Sequence, residues 1–534
     1  MRTLVLGDPL VHLGTDAPFL RDGALVIENG TVREVGSRAR FENGSFDRVI
    51  GSADHFVLPG FVNCHFHSEA ALGRGLYELI FERANIWLHA NKVASIEAGD
   101  LRDGILLRLI DCIRGGQTAA VDMYYGRPGM NDLGCEPALE AYASIGMRVA
   151  FGLVTRDQNI YVHANNEEFL SCLPPDLAAE VRASPIGYAW PVEEVFNVYR
   201  RLVSRWDGRD GRMRLILAPD WTPACSDELY RASRRLADEF NTGLTTHVLE
   251  TRSEMQFNFE HYGKCAMRRL DDLGVLAKDA TLAHFVWATD EDIDLLAESG
   301  AVASTNPGSN LRLSTGICRS REILDRGGHL GVGTDGISFS DREDFFDELR
   351  LAALLQRAPS RLDSGRLPSE RLMRELAAAG ARAVRFEEQL GSLSSGKDAD
   401  LLVLRRERVF GPPNRYTTAD PLDVIVDRAD ASDLETVLVR GVPVLDRGQI
   451  SGVDEAAVRQ RFAEAAANRL WRFATELQRR HAIELPAQLE PYVLAFYERW
   501  ASAPLAPGTT YNTYTGPVRS APGPAHRARQ SASA

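Results

Sequence analysis

The chain has 534 residues, and at about 150 residues per domain that length exceeds any single small binding module. Its 61 Lys and Arg against 74 Asp and Glu leave a formal charge of −13, which disfavours a nucleic-acid backbone or an anionic membrane surface as partner. Hydrophobic residues at 44% and charged residues at 25% are globular proportions, enough to bury a core that offsets the ordering entropy of the chain.

Residues 1–57 read as short strands separated by turns: Arg2 to Leu6, Ala24 to Glu28, Val32 to Val35 and Arg48 to Ile50. Asn29-Gly30, between two of these runs, has the composition of a two-residue hairpin turn. From Leu58 to Arg385 short apolar runs alternate with longer amphipathic stretches. The runs are Phe61 to His65, Thr118 to Met123, Arg148 to Val154, Arg214 to Ala218, Gly243 to Val248, Thr281 to Val286, Ala301 to Thr305 and Leu330 to Thr334. Helices are expected over Ala98 to Arg114, Glu136 to Ile145, Ser226 to Glu239, Asp290 to Ser299 and Arg342 to Gln356. This alternation predicts an α/β fold, a (β/α)₈ TIM barrel over 58–385, with an open doubly wound sheet as the rival that pattern alone does not exclude.

Strands return at Ala399 to Leu404, Val424 to Val426, Thr436 to Val439 and Val442 to Leu445. Residues 386–450 are therefore expected to join 1–57 in a small β unit around the inserted barrel. Residues 454–501 read as a helical C-terminal extension, and 503–534, rich in Pro, Ala, Ser, Gly and Arg, as a disordered tail. Seven cysteines stand singly, so neither a disulfide framework nor a cysteine zinc knot is indicated. Asp8, His12 and Asp16 interrupt the first apolar stretch, and no uncharged apolar run reaches about 18 residues, so the expectation is a cytoplasmic protein.

His65 and His67 are two apart in Asn63-Cys64-His65-Phe66-His67, a spacing that aims both imidazoles to one face of a strand. In a barrel that face is the interior, and the C-terminal end of the strand is where ligands bind. Three further runs end in suitable groups: His247 at the fifth, His284 at the sixth and Asp335 at the eighth. Together they make a mixed nitrogen and oxygen shell for one divalent metal ion, Zn²⁺ or Fe²⁺. Singly, each has a plainer reading: a capping or core histidine, or a turn aspartate in Gly333-Thr334-Asp335-Gly336. Glu250 follows His247 by three residues, in the loop over the barrel mouth, either as a proton carrier beside activated water or as an ordinary loop glutamate.

These pieces resemble the amidohydrolase superfamily, most closely its mononuclear branch with cytosine deaminase, S-adenosylhomocysteine deaminase and the atrazine chlorohydrolase group. The matching stretches are Leu58 to His67, Leu72-Gly73-Arg74-Gly75-Leu76, Trp87-Leu88, Thr246 to Thr251, Ala283 to Trp287, Asn306 to Leu313, Gly333 to Gly336, and Gly391-Ser392-Leu393 through Gly396 to Leu404. The resemblance implies metal ligation by His65, His67, His247 and Asp335, proton shuttling by Glu250, and a catalytic or water-orienting His284. It also implies a β-sandwich built from the two flanks, and a homodimer or homotetramer. Binuclear relatives need a carboxylated lysine on the fourth strand, and Arg214 to Pro223 contains no lysine, so one metal ion is expected.

Trp221, Trp287, Asn306, Ser309 and Asn310 follow strand-like runs and are candidates for substrate contacts, as are Glu69 and Arg74 in the first loop. Core packing for the tryptophans, a turn role for the asparagines and a solvated pair for Glu69 and Arg74 are the alternatives. The long stretch 157–212 is expected to form a lid. The leading functional expectation is a metal-dependent aminohydrolase of an amino-substituted N-heterocycle or a related amidine-like carbon. Hydrolytic dechlorination or cyclic-amide cleavage at the same site is the second reading, and a non-catalytic barrel scaffold the third.

Overall fold

The computed structural model describes residues 1–501 except 15, 74–79, 85–86, 88–95, 128, 337–341, 358–365, 411–419, 469, 471–472 and 474. Arg74 and the expected tail at 503–534 lie outside the described residues.

Eight parallel strands close into a barrel in chain order, which decides against the open sheet. They are Phe61–Phe66, Gln117–Tyr124, Arg148–Thr155, Met213–Pro219, Leu244–Val248, Ala280–His284, Val302–Thr305 and His329–Val332. The eighth returns to the first through Val332 opposite Asn63. The second and third strands are buried at every residue, as expected of strands covered by helices outside and side chains within. This is why they read as continuous apolar runs and not as alternations.

The intervening helices start and stop on local chemistry. Ala98–Arg114 and Asp290–Ser299 fall on the expected residues. The second of these opens on a reciprocal cap between Thr289 and Asp292 and ends at Gly300 in the left-handed region, φ 68°. Ser226 caps Asp227–Glu239 by accepting from the Leu229 amide.

Two sheets from the flanks face each other. Thr31–Ser37, Gly23–Glu28, Arg2–Gly7 and Arg48–Gly51 form one sheet in that order. The other runs Gln449–Ile450, Val442–Asp446, Leu434–Val439, Leu401–Arg405, His55–Pro59, Leu10–Val11 and Phe19–Leu20. Val5, Leu25 and Ile27 of the first pack on Val57, Leu401 and Val403 of the second. His55–Pro59 passes through Gly60 directly into the first barrel strand, so the sandwich anchors the strand that carries His65.

One expected strand is a helix. Val424 to Val426 lie inside the helix Pro421–Arg428, whose first turn is capped by Asp420 accepting from the Leu422 amide. Asp-Pro at the cap and first position is a helix start, and it overrides the β-branched Val-Ile-Val that follows. The expected lid is likewise something else in part. Its last portion, Val192–Trp206, is the barrel helix that packs on the third and fourth strands, while Asn166–Ser171 and Pro175–Ala183 precede it.

The C-terminal extension packs on the barrel in two places. Glu455–Asn468 lies along Ala98–Arg114, tied by Arg461 to Asp103 at 2.7 Å and Arg114 to Glu455 at 2.7 Å. Leu485–Ala501 buries Leu489, Val493, Phe496 and Trp500 against Val162, Phe169 and Phe257. Among the described residues no helix is long and apolar enough to cross a membrane.

Candidate active site

His65 and His67 stand at the end of the first strand, His247 on the fifth, His284 at the end of the sixth and Asp335 just past the eighth. Their positions are reinforced by the backbone. Asp335 donates its amide to the His65 carbonyl at 3.0 Å, stitching the eighth strand's end to the first. His284 and Asp335 have φ of 74° and 62°, a left-handed conformation that residues with side chains adopt sparingly and that clusters at functional sites.

Asp335 Oδ1 lies 3.2 Å from His65 Nε2 and 3.1 Å from His67 Nε2. His247 Nε2 lies 3.3 Å from His67 Nε2. Ligand atoms of His65, His67 and Asp335, of His65, His247 and His284, and of Glu250, His284 and Asp335 converge within 4.8 Å in each group. All of these residues are buried.

The hydrogen bonds behind the imidazoles fix what they offer at the front. His67 Nδ1 donates to the Met123 carbonyl at 2.6 Å, and His247 Nδ1 donates to the Asp220 carbonyl at 2.7 Å. Each Nε2 is therefore left as a lone pair in the neutral ring. Two lone pairs 3.3 Å apart beside a carboxylate repel one another, and among the described residues His65 has no hydrogen bond on either ring nitrogen. A divalent cation satisfies all four groups at once, so the residues present fit the metal ion that the sequence implies.

Burial moves the charges around this cluster. Burial and then the Asp335, Glu254, Glu82 and Asp220 carboxylates push Glu250 well above the usual carboxylate range. Burial opposes ionisation of Asp335 too, but the imidazoles of His65 and His67 against its Oδ1 hold it well below that range. Burial pulls His284 down to about 4, so it is a neutral ring. Its Nδ1 donates to Asn310 Oδ1 at 2.9 Å and stands 3.6 Å from Glu250 Oε1.

The remaining expected contacts divide. Ser309 Oγ donates to Asp335 Oδ2 at 2.5 Å, Asn310 holds His284, and Asn306 Nδ2 lies 3.2 Å from His284 Nδ1. These three side chains thus serve the cluster. Trp287 Nε1 donates to the Thr315 carbonyl at 2.7 Å within the main core. Glu69 is buried close to His67 and Arg127, and burial raises its carboxyl. Trp221 bridges to His247 along the sheet and packs with Phe81 and Leu313 at the barrel mouth, its Nε1 without a partner among the described residues.

Several supporting groups escape a reading of sequence. Asp220, next after the fourth strand, places Oδ1 3.3 Å from His247 Nδ1, accepts from Tyr125 Oη at 2.7 Å and pairs with Arg156 at 2.5 Å. Its strand-end position is the signal that would have found it. Glu254 accepts from the Glu250 amide at 2.8 Å and from Thr222 Oγ1 at 2.6 Å, so the loop carrying Glu250 is held by its own next turn. Arg108, in the middle of a helix, donates to the carbonyls of His67 and Asp335, and nothing local in the sequence announces it.

Asp220 behind His247 leads to a specific expectation. Asp220→Asn should weaken metal affinity by roughly 10–100-fold, read by competition with a chromogenic chelator, because the ring loses the charge that orients it. An unchanged affinity would make Asp220 a packing residue only.

Residues 56–444 match the Amidohydrolase family. The chain belongs to that family. It is 30% identical over 461 residues to a 5′-deoxyadenosine deaminase of Methanosarcina mazei, covering 86% of this chain and 96% of that one. It is also 30% identical over 429 residues to a 5-methylthioadenosine/S-adenosylhomocysteine deaminase of Thermococcus onnurineus, covering 79% and 90%. Among solved structures, an adenosine deaminase from Xanthomonas campestris with bound zinc matches with a TM-score of 0.73 at 24% identity, over 87% of this chain and 98% of that one. Atrazine chlorohydrolase TrzN from Arthrobacter aurescens, complexed with zinc, matches with a TM-score of 0.73 at 22% identity, over 86% and 99%. The amidohydrolase fold and a buried site for a divalent metal are thus features of this chain.

Proposed function

We propose that this amidohydrolase is a deaminase of adenine nucleosides altered at the 5′ position, dependent on one Zn²⁺ or, alternatively, Fe²⁺. The observation that carries the reading is the convergence of Glu250, His284 and Asp335 beside the other three imidazoles. The two relatives at 30% identity, named for 5′-deoxyadenosine and for 5-methylthioadenosine and S-adenosylhomocysteine, support the substrate class. The likeness to the chlorohydrolase is at an identity that speaks for fold alone, so dechlorination stays in second place.

A divalent ion held by His65, His67, His247 and Asp335 supplies Lewis-acid chemistry, lowering the pKa of water at the site. The chain's own groups then handle the protons. Glu250, whose buried acidic surroundings favour its protonated form, donates to a ring nitrogen and makes the neighbouring carbon electron-poor. Asp335, held as a carboxylate, accepts a proton from the attacking water. The neutral His284, fixed by Asn310, orients that water from the other side. As the carbon–nitrogen bond to the amino group breaks, the proton held by Asp335 passes to the leaving nitrogen and the hydroxyl proton returns to Glu250, so that ammonia and a ring carbonyl result and both carboxyl groups end as they began.

The test is ammonia release from 5′-deoxyadenosine, 5′-methylthioadenosine and adenosine, with metal content measured on the same sample. Turnover that disappears on chelation and returns with Zn²⁺ or Fe²⁺ is expected. A metal-loaded enzyme that releases chloride from a chlorotriazine but no ammonia from these nucleosides would replace this reading with the second.

A further inference from the structure

Glu348 is an acidic residue on an apolar helix face. The helix Phe345–Leu354 opens on Asp344, whose side chain accepts from the Phe346 amide, and it buries Phe345, Phe346, Leu349 and Ala352. Phe345 and Phe346 pack on Phe61 at the start of the first barrel strand, with ring centroids 5.2 and 4.9 Å away. Glu348 stands three residues after Phe345 and four before Ala352, on the same face, and is buried with them. A carboxyl is seldom taken out of water unless a specific partner holds it. Here the partner is the backbone of another element: Glu348 Oε2 accepts from the Gly308 amide at 2.9 Å. The proton steps above leave this carboxyl unused.

Gly308 is the second residue of the short helix Pro307–Arg312, just past the seventh strand. The amides of a helix's first turn have no partner within the helix and need one from elsewhere. Asn306, at the cap position, turns its side chain to other groups: Oδ1 accepts from Ser304 Oγ at 3.1 Å, and Nδ2 lies 3.2 Å from His284 Nδ1. Further along, Ser309 Oγ donates to Asp335 Oδ2 at 2.5 Å, and Asn310 Oδ1 accepts from His284 Nδ1 at 2.9 Å. The polar side chains of 306–310 thus serve the cluster, and the cap for the Gly308 amide comes from outside, from Glu348. A glycine permits that approach, because a methyl group at 308 would collide with Glu348 Oε1.

We propose that Glu348 is a positioning residue for the hydrolysis: by holding the Gly308 amide it sets the turn 306–310 and, through Asn310 and Ser309, the aim of the His284 ring and the Asp335 carboxylate. The proposal deepens the reading above and rests on the roles given there to His284 and Asp335. Burial pushes the Glu348 carboxyl up to about 8, against the pull of the Gly308 amide. A glutamine, neutral and of the same shape with one acceptor oxygen, is therefore a close stand-in.

Steady-state ammonia release from 5′-methylthioadenosine by the full chain, with metal measured on the same sample, tests this. Glu348→Leu removes the acceptor and should lower kcat by roughly 10²-fold, the cost of about 1 Å of misplacement at a reacting group. KM and metal content should stay within about threefold, the mark of an interaction that matters in the transition state. Glu348→Gln should recover most of the loss, whereas a carboxyl that only fills space is replaced as well by leucine as by glutamine. Gly308→Ala, which drives the carboxyl off its amide while leaving Glu348 in place, should lower kcat in the same direction and serves if the Leu variant folds poorly. In an Asn310→Ala background Glu348→Leu should cost less than about threefold more, since the link to His284 is already cut. A crystal structure of the Leu variant should show His284 Nδ1 drawn away from Asn310 Oδ1. Native-like kcat in both the Leu and the Gly308→Ala variants, a Gln variant as impaired as the Leu one, or an unmoved His284–Asn310 bond would overturn the positioning role. Absence of ammonia from every nucleoside with the native chain would overturn the substrate reading alone, and the crystallographic comparison would still decide this one.

Discussion

Glu250→Gln is expected to lower kcat by roughly 10²–10⁴-fold, the range of a lost general acid–base group, while metal content and thermal stability hold. Glu250 is buried, and its surroundings place its titration well above that of an ordinary glutamate. A neutral amide of nearly the same shape therefore replaces a carboxyl whose burial already disfavours its charged form, and the fold has little to register. The loop is unaffected as well, because the contact that positions it runs from the Glu250 amide to Glu254. What disappears is the proton for the ring nitrogen and the site to which it returns. Single-turnover ammonia release, with metal measured on the same preparation, separates this outcome from a loss of binding. A Gln variant within about threefold of the native rate would remove Glu250 from the chemistry.

Such a prediction is available because the site is composed of strand ends, and strand ends are visible in a sequence. His65 and His67 alternate on one strand, and His247 and His284 close the fifth and sixth apolar runs. The direction of a side chain beyond a strand end is less visible. Ser309 and Asn310 stand in the expected place, yet the Ser309 hydroxyl and the Asn310 side-chain oxygen are spent on Asp335 and His284. Trp221 and Trp287 both follow strand ends, yet Trp287 gives its indole N–H to a carbonyl within the main core while Trp221 packs with Phe81 and Leu313 at the mouth. Partners far apart in the chain leave no local mark at all. His163 meets Tyr497 across 334 positions, and Arg108 meets Asp335 across 227. Val424 to Val426 differ again: the cap at Asp420 and Pro421 is legible in the sequence, and it outweighs the strand propensity of the Val-Ile-Val that follows.

Arg108 leads to the second large effect. Its guanidinium is enclosed against the ring of Phe66, 3.9 Å from its centroid, and donates to Glu343 Oε1 at 2.9 Å. The same group donates to the backbone carbonyl of His67 and, at 2.6 Å, to that of Asp335. It thus ties together the ends of the first and eighth strands from beneath, at the two residues whose side chains approach within 3.1 Å above. Arg108→Met should cost about 3–5 kcal/mol of stability, the usual consequence of leaving a buried partner charge uncompensated, here Glu343. Pairing it with Glu343→Leu should return much of that loss, since a buried ion pair exchanged for apolar groups is often neutral. Metal affinity should not return with it, because the carbonyls of His67 and Asp335 still lack the donor that fixed their spacing. Chemical denaturation and chelator competition on the single and double variants measure the two quantities independently. If affinity recovers in step with stability, the guanidinium is a counter-ion for Glu343 and the spacing of the strand ends is set elsewhere. If stability returns while affinity stays low, the clamp holds the metal ligands in register.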